Sequence, residues 1–262
     1  MPAMGTRNPF EAPEVVSRRG GPVKQPLSRD AIVTEALEQL TRDGLDSMSL
    51  RKVAAALETG PASLYVYVND LDELHALVFD RALARVDVRG AKQKDWRERI
   101  KALLMSYLDV LLASPGLAQL AFRWVIPGPN ALRLVEALLG AFAGGAIDRR
   151  TAARAVDLLL LYVTALAAEQ SQRGNDSEHD PSNRAGAAAR AITGVSAEKY
   201  PHIHAAREEL VSGGGGRGKR VTWAIDAILN GVVPASRSEG DVSTEGTKPT
   251  RSKKKVGRRG AG

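Results

Sequence analysis

Apolar residues recur at the three-and-four spacing of amphipathic helices along most of the chain. In the first such segment Ile32, Ala36 and Leu40 fall on one helical face, with Ser28 placed to cap its start and Gly44 to end it. Alanine and leucine are abundant, and runs of β-branched residues are scarce. The pattern and the composition together predict an all-α protein.

Two short helices and then a longer one are predicted after the first. Ser49 is expected to cap the second helix, Pro61 to open a third over about 61–67, and Asp70 with Glu73 to form a capping box. The fourth helix is predicted to reach about residue 89. Two short helices joined by a tight turn suit a helix-turn-helix reader of the DNA major groove, although a merely packed helical subdomain has the same pattern.

The remainder of the chain predicts a larger helical domain. Helices are expected over roughly 96–111, 131–144, 149–172 and 219–231. The last two carry more apolar surface than one subunit can cover, which favours a four-helix bundle between two copies of the chain. The residues expected at that contact are Leu160, Leu161, Val163, Ile225 and Leu229.

These patterns divide the chain into four regions. They are a flexible basic arm at 1–26, a helix-turn-helix domain at 27–74, a helical regulatory and dimerisation domain at 75–233, and a disordered basic tail at 234–262. The 262 residues carry a net charge of +7, and most of the basic excess lies in the arm and the tail. The tail is open to two interpretations, a solvated end or a DNA contact that reads no sequence.

Several classes of protein are excluded by the residues that are present. The sequence has no cysteine, which removes disulfides, thiolate catalysis and cysteine zinc sites. The longest apolar stretch, Leu158–Ala168, is shorter than the roughly 20 residues that span a bilayer, and no signal segment opens the chain. We therefore expect a cytoplasmic protein with no membrane partner.

Catalytic and metal sites are not predicted. The chain has no Gly-x-Ser-x-Gly motif, phosphate-binding loop or zinc-protease motif, so we expect no enzymatic activity and no cofactor. His202 and His204 would point to different sides of a helix, and His179 lies in an acidic loop. These positions do not favour metal binding.

The sequence GLDSMSLRKVA at Gly44–Ala54, followed by LYVYV at Leu64–Val68, resembles the DNA-binding domain of the tetracycline-repressor (TetR) family. The resemblance covers about residues 29–80, and Val221–Gly231 looks like a closing helix of the same family. It implies an N-terminal three-helix helix-turn-helix domain that a fourth helix joins to a larger helical ligand-binding and dimerisation domain. It also implies a homodimeric repressor that binds a double-stranded DNA operator and leaves it when a small apolar or amphipathic effector binds.

DNA contacts are implied at the start of the second helix and along the third. Arg51 is able to contact guanine with two hydrogen bonds, and Tyr67 is expected to bind phosphate through its hydroxyl. Tyr65 and Tyr67 also fit a role in packing between helices. The full set of predicted DNA-binding residues is Ser49, Leu50, Arg51, Pro61, Ala62, Ser63, Tyr65, Val66 and Tyr67.

Departures from the family pattern affect the expected electrostatics. Glu58 stands where a glycine is common, and Leu71 stands where a phosphate-binding lysine is usual. Residues 27–74 hold four basic and nine acidic residues, a net charge of −5, so much of the nonspecific affinity is expected from Arg18, Arg19 and Lys24 of the arm. The alternative function is a nonspecific nucleic-acid-binding protein driven by its basic ends.

Aromatic side chains concentrate on the central helices and indicate a site for an apolar effector. Each of them fits ordinary core packing as well. A helical enzyme that acts on a hydrophobic compound is a third possibility, which turnover of the bound compound would reveal. The predicted ligand-binding residues are Met105, Tyr107, Phe122, Trp124, Phe142 and Tyr162.

Overall fold

The computed structural model describes residues 8–10, 27–89, 95–114, 116–122, 127–175, 184–212 and 217–238, and within these ranges it contains helices and no strand. The all-α fold predicted from the sequence is confirmed. The helices are α1 (Arg29–Asp43), α2 (Leu50–Ala56), α3 (Pro61–Leu64), α4 (Leu71–Leu83), α5 (Trp96–Leu112), α6 (Leu117–Phe122), α7 (Pro129–Gly144), α8 (Arg149–Asn175), α9 (Arg184–Thr193), α10 (Pro201–Ala205), α11 (Arg207–Ser212) and α12 (Arg217–Ser238).

Capping side chains set the starts of the N-terminal helices where the sequence predicted them. The Ser28 hydroxyl accepts a hydrogen bond from the N–H of Ala31, and the Ser49 hydroxyl accepts one from Lys52. The Asp70 carboxylate accepts from the N–H of Glu73, and α1 ends at Gly44 with a φ of 77°. These bonds satisfy backbone N–H groups that have no partner within the first turn of a helix.

Two of these helices are shorter than predicted. Helix α3 ends at Leu64 rather than near 67, and α4 ends at Leu83 rather than near 89. After Leu83 the chain continues in tighter turns, in which the N–H of Val86 bonds to the carbonyl of Leu83, so Val86 still reaches the core at helical spacing. The helical spacing of apolar residues therefore continues beyond the last residue of the regular α-helix.

Helices α5 and α8 form the centre of the larger domain. Helix α5 packs against α7 and α8, and α8 also contacts α6, α7 and α12. Leu104 and Leu108 of α5, with Leu159 and Val163 of α8, are fully or almost fully buried. Helix α4 joins the two parts of the molecule, because it packs on α1 on one side and on α6 and α7 on the other.

The structure departs from the expected boundaries at both ends of the folded region. Helix α12 continues past Pro234 to Ser238, where a disordered tail was expected. Pro9 is buried, and Phe10 is partly buried against the core, so residues 8–10 are an exception to the expected flexible arm. The predicted roles of Arg18, Arg19 and Lys24, and of the basic run at 248–259, fall outside the described residues.

Candidate DNA-binding surface and regulatory domain

Helices α2 and α3 form the candidate DNA-binding surface. Val53 and Ala54 of α2 and Leu64 of α3 are fully buried in one core, which holds the two helices together. The turn between them passes through Glu58, whose φ of 50° is in the left-handed region. Glycine adopts this conformation without the steric cost that a side chain brings, which accounts for a glycine being common at this turn.

The structure exposes most of the predicted DNA-binding residues on this surface. Tyr65 is 56% exposed and Val66 63% exposed, far more than side chains of this kind in a core. Arg51, Pro61 and Ala62 are also exposed. A groove-facing surface needs exposed side chains of this kind, so the geometry favours contact with a partner over packing for Tyr65.

Ser49, Leu50 and Ser63 are less accessible. Each is half-buried, and Leu50 packs partly against the core. The Ser49 hydroxyl is already engaged as the cap of α2. These three residues therefore have less free surface for DNA than the exposed members of the predicted set.

Tyr67 is placed differently from the sequence-based expectation. Its side chain is buried in the core at 8% exposure, and its backbone carbonyl accepts a hydrogen bond from Nε of Arg29 at 3.1 Å. The alternative of packing between helices fits this geometry better than the predicted phosphate contact does.

Arg29 is a structural residue that sequence reasoning did not identify. Besides the Tyr67 carbonyl, its guanidinium donates to the Glu73 carboxylate at 2.6 Å and to the Pro9 carbonyl at 2.7 Å. Glu73 in turn accepts from the side-chain amide of Asn69 at 2.6 Å. The network joins the start of α1 to the turn that follows α3 and to α4. Its residues form no local sequence pattern from which it could have been predicted.

The electrostatics of the N-terminal domain differ between its surfaces. Asp30, Glu35 and Glu38 line an open groove along α1, together with Leu57. Residues 59–69, which include the exposed aromatic surface, carry no charged side chain. The acidic charge of this domain therefore lies largely outside the surface that α3 presents.

In the larger helical domain, two of the predicted ligand-binding residues are buried in the core. The Tyr107 and Thr164 hydroxyls lie 2.8 Å apart and join α5 to α8. Burial raises the pKa of Tyr107 above its ordinary value, against a smaller opposing effect of the bond to Thr164. Phe142 is fully buried, and its ring lies 5.8 Å from that of Trp96 between centroids.

The other predicted ligand-binding residues have different surroundings. Met105 and Tyr162 are half-buried and pack against the core, whereas Phe122 is 50% exposed. Trp124 lies outside the described residues. The prediction of an effector site formed by these residues is therefore supported only by their placement on the helices that surround α5 and α8.

Two half-buried glutamines add buried oxygen atoms that sequence reasoning missed. The side-chain carbonyl oxygens of Gln119 in α6 and Gln170 in α8 are buried and find no hydrogen-bond partner among the described residues. Helices α6 and α8 pack against each other. A buried carbonyl oxygen without a donor is costly, and a bound molecule with N–H or O–H groups would remove that cost.

The helices expected to form the dimer, α8 and α12, expose an apolar face. Leu158, Leu161 and Trp223 are 45%, 55% and 72% exposed. Three residues predicted for this contact are instead part of the subunit's own core: Val163, Ile225 and Leu229 are fully buried. That part of the prediction is wrong. On α8 and α12 these residues belong to the side that packs into the subunit's own core, not to the side that faces outward.

Helix α8 also has the length and composition of a membrane-spanning helix, over Arg149–Ser171. A core helix of a soluble protein can have the same properties. Here Leu159, Val163 and Ala167 are buried within the bundle, and the helix carries Glu169 in its second half. The fold accounts for the apolar character of one side of α8 without a membrane.

Comparison with known proteins identifies a family for this chain. Residues 89–233 match the family model described as "Tetracyclin repressor-like, C-terminal domain". An HTH-type transcriptional regulator of Saccharopolyspora erythraea is 33% identical over 165 residues, which is 63% of this chain and 68% of that protein. The HTH-type transcriptional repressor DrrR1 of Streptomyces coeruleorubidus is 35% identical over 118 residues, 44% of this chain and 43% of that protein.

Solved structures agree with this comparison. Apo ActR from Streptomyces coelicolor superposes with a TM-score of 0.72 at 30% identity, and the match covers 83% of this chain and all of ActR. ActR in complex with actinorhodin matches with a TM-score of 0.71 at 31% identity, over 80% of this chain and 97% of ActR.

Proposed function

The chain belongs to the TetR family of transcriptional regulators, and on that premise we propose that it is an operator-specific repressor released from DNA by an apolar or amphipathic small molecule. The observation that carries the DNA-binding part is the exposed surface of Tyr65 and Val66, with Arg51 exposed on the neighbouring helix. A short helix such as α3, directly followed by a turn that presents such residues, fits the major groove. The protein is expected to act in the cytoplasm.

A small-molecule effector is supported by two independent observations. Met105 and Tyr162, which are only half-buried, bring apolar surface to α5 and α8, and Gln119 and Gln170 bring carbonyl oxygens that lack donors among the described residues. ActR, whose fold is similar, is known in complex with actinorhodin and with (S)-DNPA. We infer that the effector has a large apolar part and at least one hydrogen-bond donor.

The repressor is proposed to act as a homodimer, since one helix-turn-helix reads few base pairs and a two-fold symmetric pair doubles the contact with a palindrome. Leu158 and Leu161 of α8, with Trp223 of α12, supply an exposed apolar face on two helices that pack against each other. A second copy would cover this face as a four-helix bundle.

The DNA-binding proposal is tested by selecting a preferred site from random duplex DNA and measuring its affinity by fluorescence anisotropy. Arg51→Ala is expected to weaken binding to that site by roughly 5- to 150-fold, which corresponds to the ~1–3 kcal/mol of one bidentate base contact. Arg190→Ala, which removes an exposed arginine of α9, is the matched control and should bind normally. Equal affinity of the two variants would reject the assignment of Arg51.

Nonspecific binding through the basic ends is the competing function. Excess unrelated duplex DNA would displace a nonspecific binder from the selected site but would leave an operator-specific one in place. The effector is sought by thermal-shift screening of hydrophobic compounds, with actinorhodin included because ActR binds it. A compound that stabilises the protein but leaves operator binding unchanged would contradict release by that compound.

A further inference from the structure

Helix α7 receives its N-terminal cap from another helix. It begins at Pro129 after Gly128, and neither residue has a side chain that can accept a hydrogen bond. The carboxylate of Asp80, on α4, takes that place: Oδ1 accepts from the N–H of Asn130 at 3.0 Å and of Ala131 at 2.9 Å, and Oδ2 accepts from the Asn130 amide at 2.9 Å. Asp80 is only 6% exposed, so these bonds and the positive end of α7 take the place of the water that a carboxylate on the surface would bind.

The N-terminal segment closes over the same point. A Cβ atom at position 128 would clash with Asp80 and would come within 2.5 Å of the Phe10 ring. Phe10 packs partly buried against the core, and Pro9 beside it is buried. Three segments distant in sequence thus meet at Gly128 with no room for a side chain.

This meeting point is connected directly to the DNA-binding domain. The carbonyl of Pro9 accepts the 2.7 Å hydrogen bond from Arg29, whose Nε also binds the carbonyl of Tyr67 at the end of the α3 turn. Arg81, the neighbour of Asp80, forms an ion pair with Asp30 of α1. The two bonds of Arg29 link the segment that packs on Gly128 to α1 and to the residues after α3, and the Arg81–Asp30 pair links α4 to α1.

We propose that Asp80, Gly128 and Phe10, together called the domain joint, are positioning residues through which the regulatory domain sets the orientation of the DNA-binding domain. Helix α7 also packs on α5 and α8 and places Phe142 in their core. A displacement of α7 within the regulatory domain must carry the cap on Asp80 with it, and α4 moves as a consequence. The regulatory role of the domain joint rests on the proposed function. The contacts that form the joint lie within one subunit and do not depend on that function.

In the domain joint, residues 8–10 hold the two domains together, a role that differs from DNA binding. Asn8 accepts a hydrogen bond from the N–H of Phe10 at 3.0 Å through its side chain, which shapes the segment as a turn against the body. A segment held in this way by Arg29 and Gly128 fixes two domains to each other.

The test measures the distance between the two domains within one subunit. Because the chain has no cysteine, Glu38→Cys on α1 and Glu136→Cys on α7 can carry two spin labels at exposed sites, and dilution with unlabelled full-length chains isolates the distance within a subunit. Pulsed EPR should give a distance distribution at least about two-fold broader in Asp80→Ala and in Phe10→Ala, because more orientations become populated. Asp109→Asn, which changes an exposed carboxylate of α5, is the control and should leave the distribution unchanged.

The outcomes separate this inference from the proposed function. An unchanged distribution in folded Asp80→Ala overturns the joint. If Asp80→Ala fails to fold, Phe10→Ala decides, because it removes only a partly buried ring near the N-terminus. If the distribution broadens but the wild-type chain selects no DNA sequence, the joint stands and the operator-specific function fails.

Discussion

The guanidinium of Arg29 and the carboxylate of Glu73, 44 residues apart in the chain, lie 2.6 Å apart and are both largely buried. Through this pair the first residue of α1 is bound to the first turn of α4. Because Arg29 also binds the carbonyl of Tyr67, the geometry of the candidate DNA-binding surface depends on an ion pair outside that surface.

Arg29→Met is expected to lower the free energy of unfolding by roughly 1.5–3 kcal/mol, because Glu73 and the Tyr67 carbonyl lose a charged donor. Chemical denaturation measures the change. Arg42→Met is the matched control, since Arg42 pairs with its neighbour Asp43 on the exposed surface, where ion pairs contribute little. Similar losses of unfolding free energy in both variants would show that the Arg29 network stabilises the fold no more than an exposed ion pair does.

The two tyrosines of the α3 segment are expected to behave differently. Tyr65→Ala should weaken operator binding with little change in stability, because the side chain is exposed. Tyr67→Ala should lower the free energy of unfolding by about 3–5 kcal/mol, as expected for truncation of a buried aromatic ring. Tyr67→Phe should retain operator affinity, and a loss comparable to that of Tyr65→Ala would instead support the phosphate contact.

Glu58→Gly should raise the free energy of unfolding by up to about 1 kcal/mol, because glycine adopts a positive φ without the cost that an L side chain brings. It should also raise DNA affinity by removing a negative charge from the turn before α3. Ala146→Gly relieves the same conformation, with a φ of 55°, in the loop after α7. Fluorescence anisotropy measures the DNA affinity of both variants. A similar gain in affinity in Ala146→Gly would refute the electrostatic explanation.

A charge on the outer face of α8 or α12 should prevent dimer formation. Leu161→Glu or Trp223→Glu is expected to give a monomer, because a second subunit would have to bury the new carboxylate. Sedimentation velocity distinguishes the two states. Leu132→Glu changes an equally exposed leucine on α7 and should leave the dimer intact. Dissociation by Leu132→Glu, but not by Leu161→Glu, would place the interface elsewhere.

The burial of the Tyr107 side chain predicts that the protein loses stability at alkaline pH. Burial keeps the folded-state pKa of Tyr107 above the value near 10 that a tyrosine has in the unfolded chain. As the pH rises above about 10, the unfolded state loses its proton first, so the free energy of unfolding falls. Tyr107→Phe should show a smaller fall over this range, and an identical pH profile would mean that Tyr107 does not carry the effect.

Local chemistry made the N-terminal helices predictable. Ser28, Ser49 and Asp70 cap them as expected, because a cap is a contact between residues three positions apart and is visible in the sequence. The family was likewise readable from a short motif, since the spacing in Gly44–Ala54 reflects packing within one small domain. The helical period also identified α5, α7 and α8, although their ends shifted by a few residues.

The outward face of α8 and α12 was decided by the tertiary structure. A helix that is apolar nearly all round presents two candidate faces, and which one packs inward depends on its neighbours. Val163 and Leu229 proved to be core residues, and Leu161 and Trp223 to be exposed.

By itself the sequence determined the all-α class, the capped helices of the DNA-binding domain and the family, because these depend on residues within one turn or one motif. Only the tertiary structure revealed the network of Arg29 and the cap that Asp80 supplies to α7. Their partners lie about 20 to 50 residues away and carry no periodic signal. A charged side chain looks the same in a sequence whether it is solvated or buried among donors, and folding alone brings those donors to it.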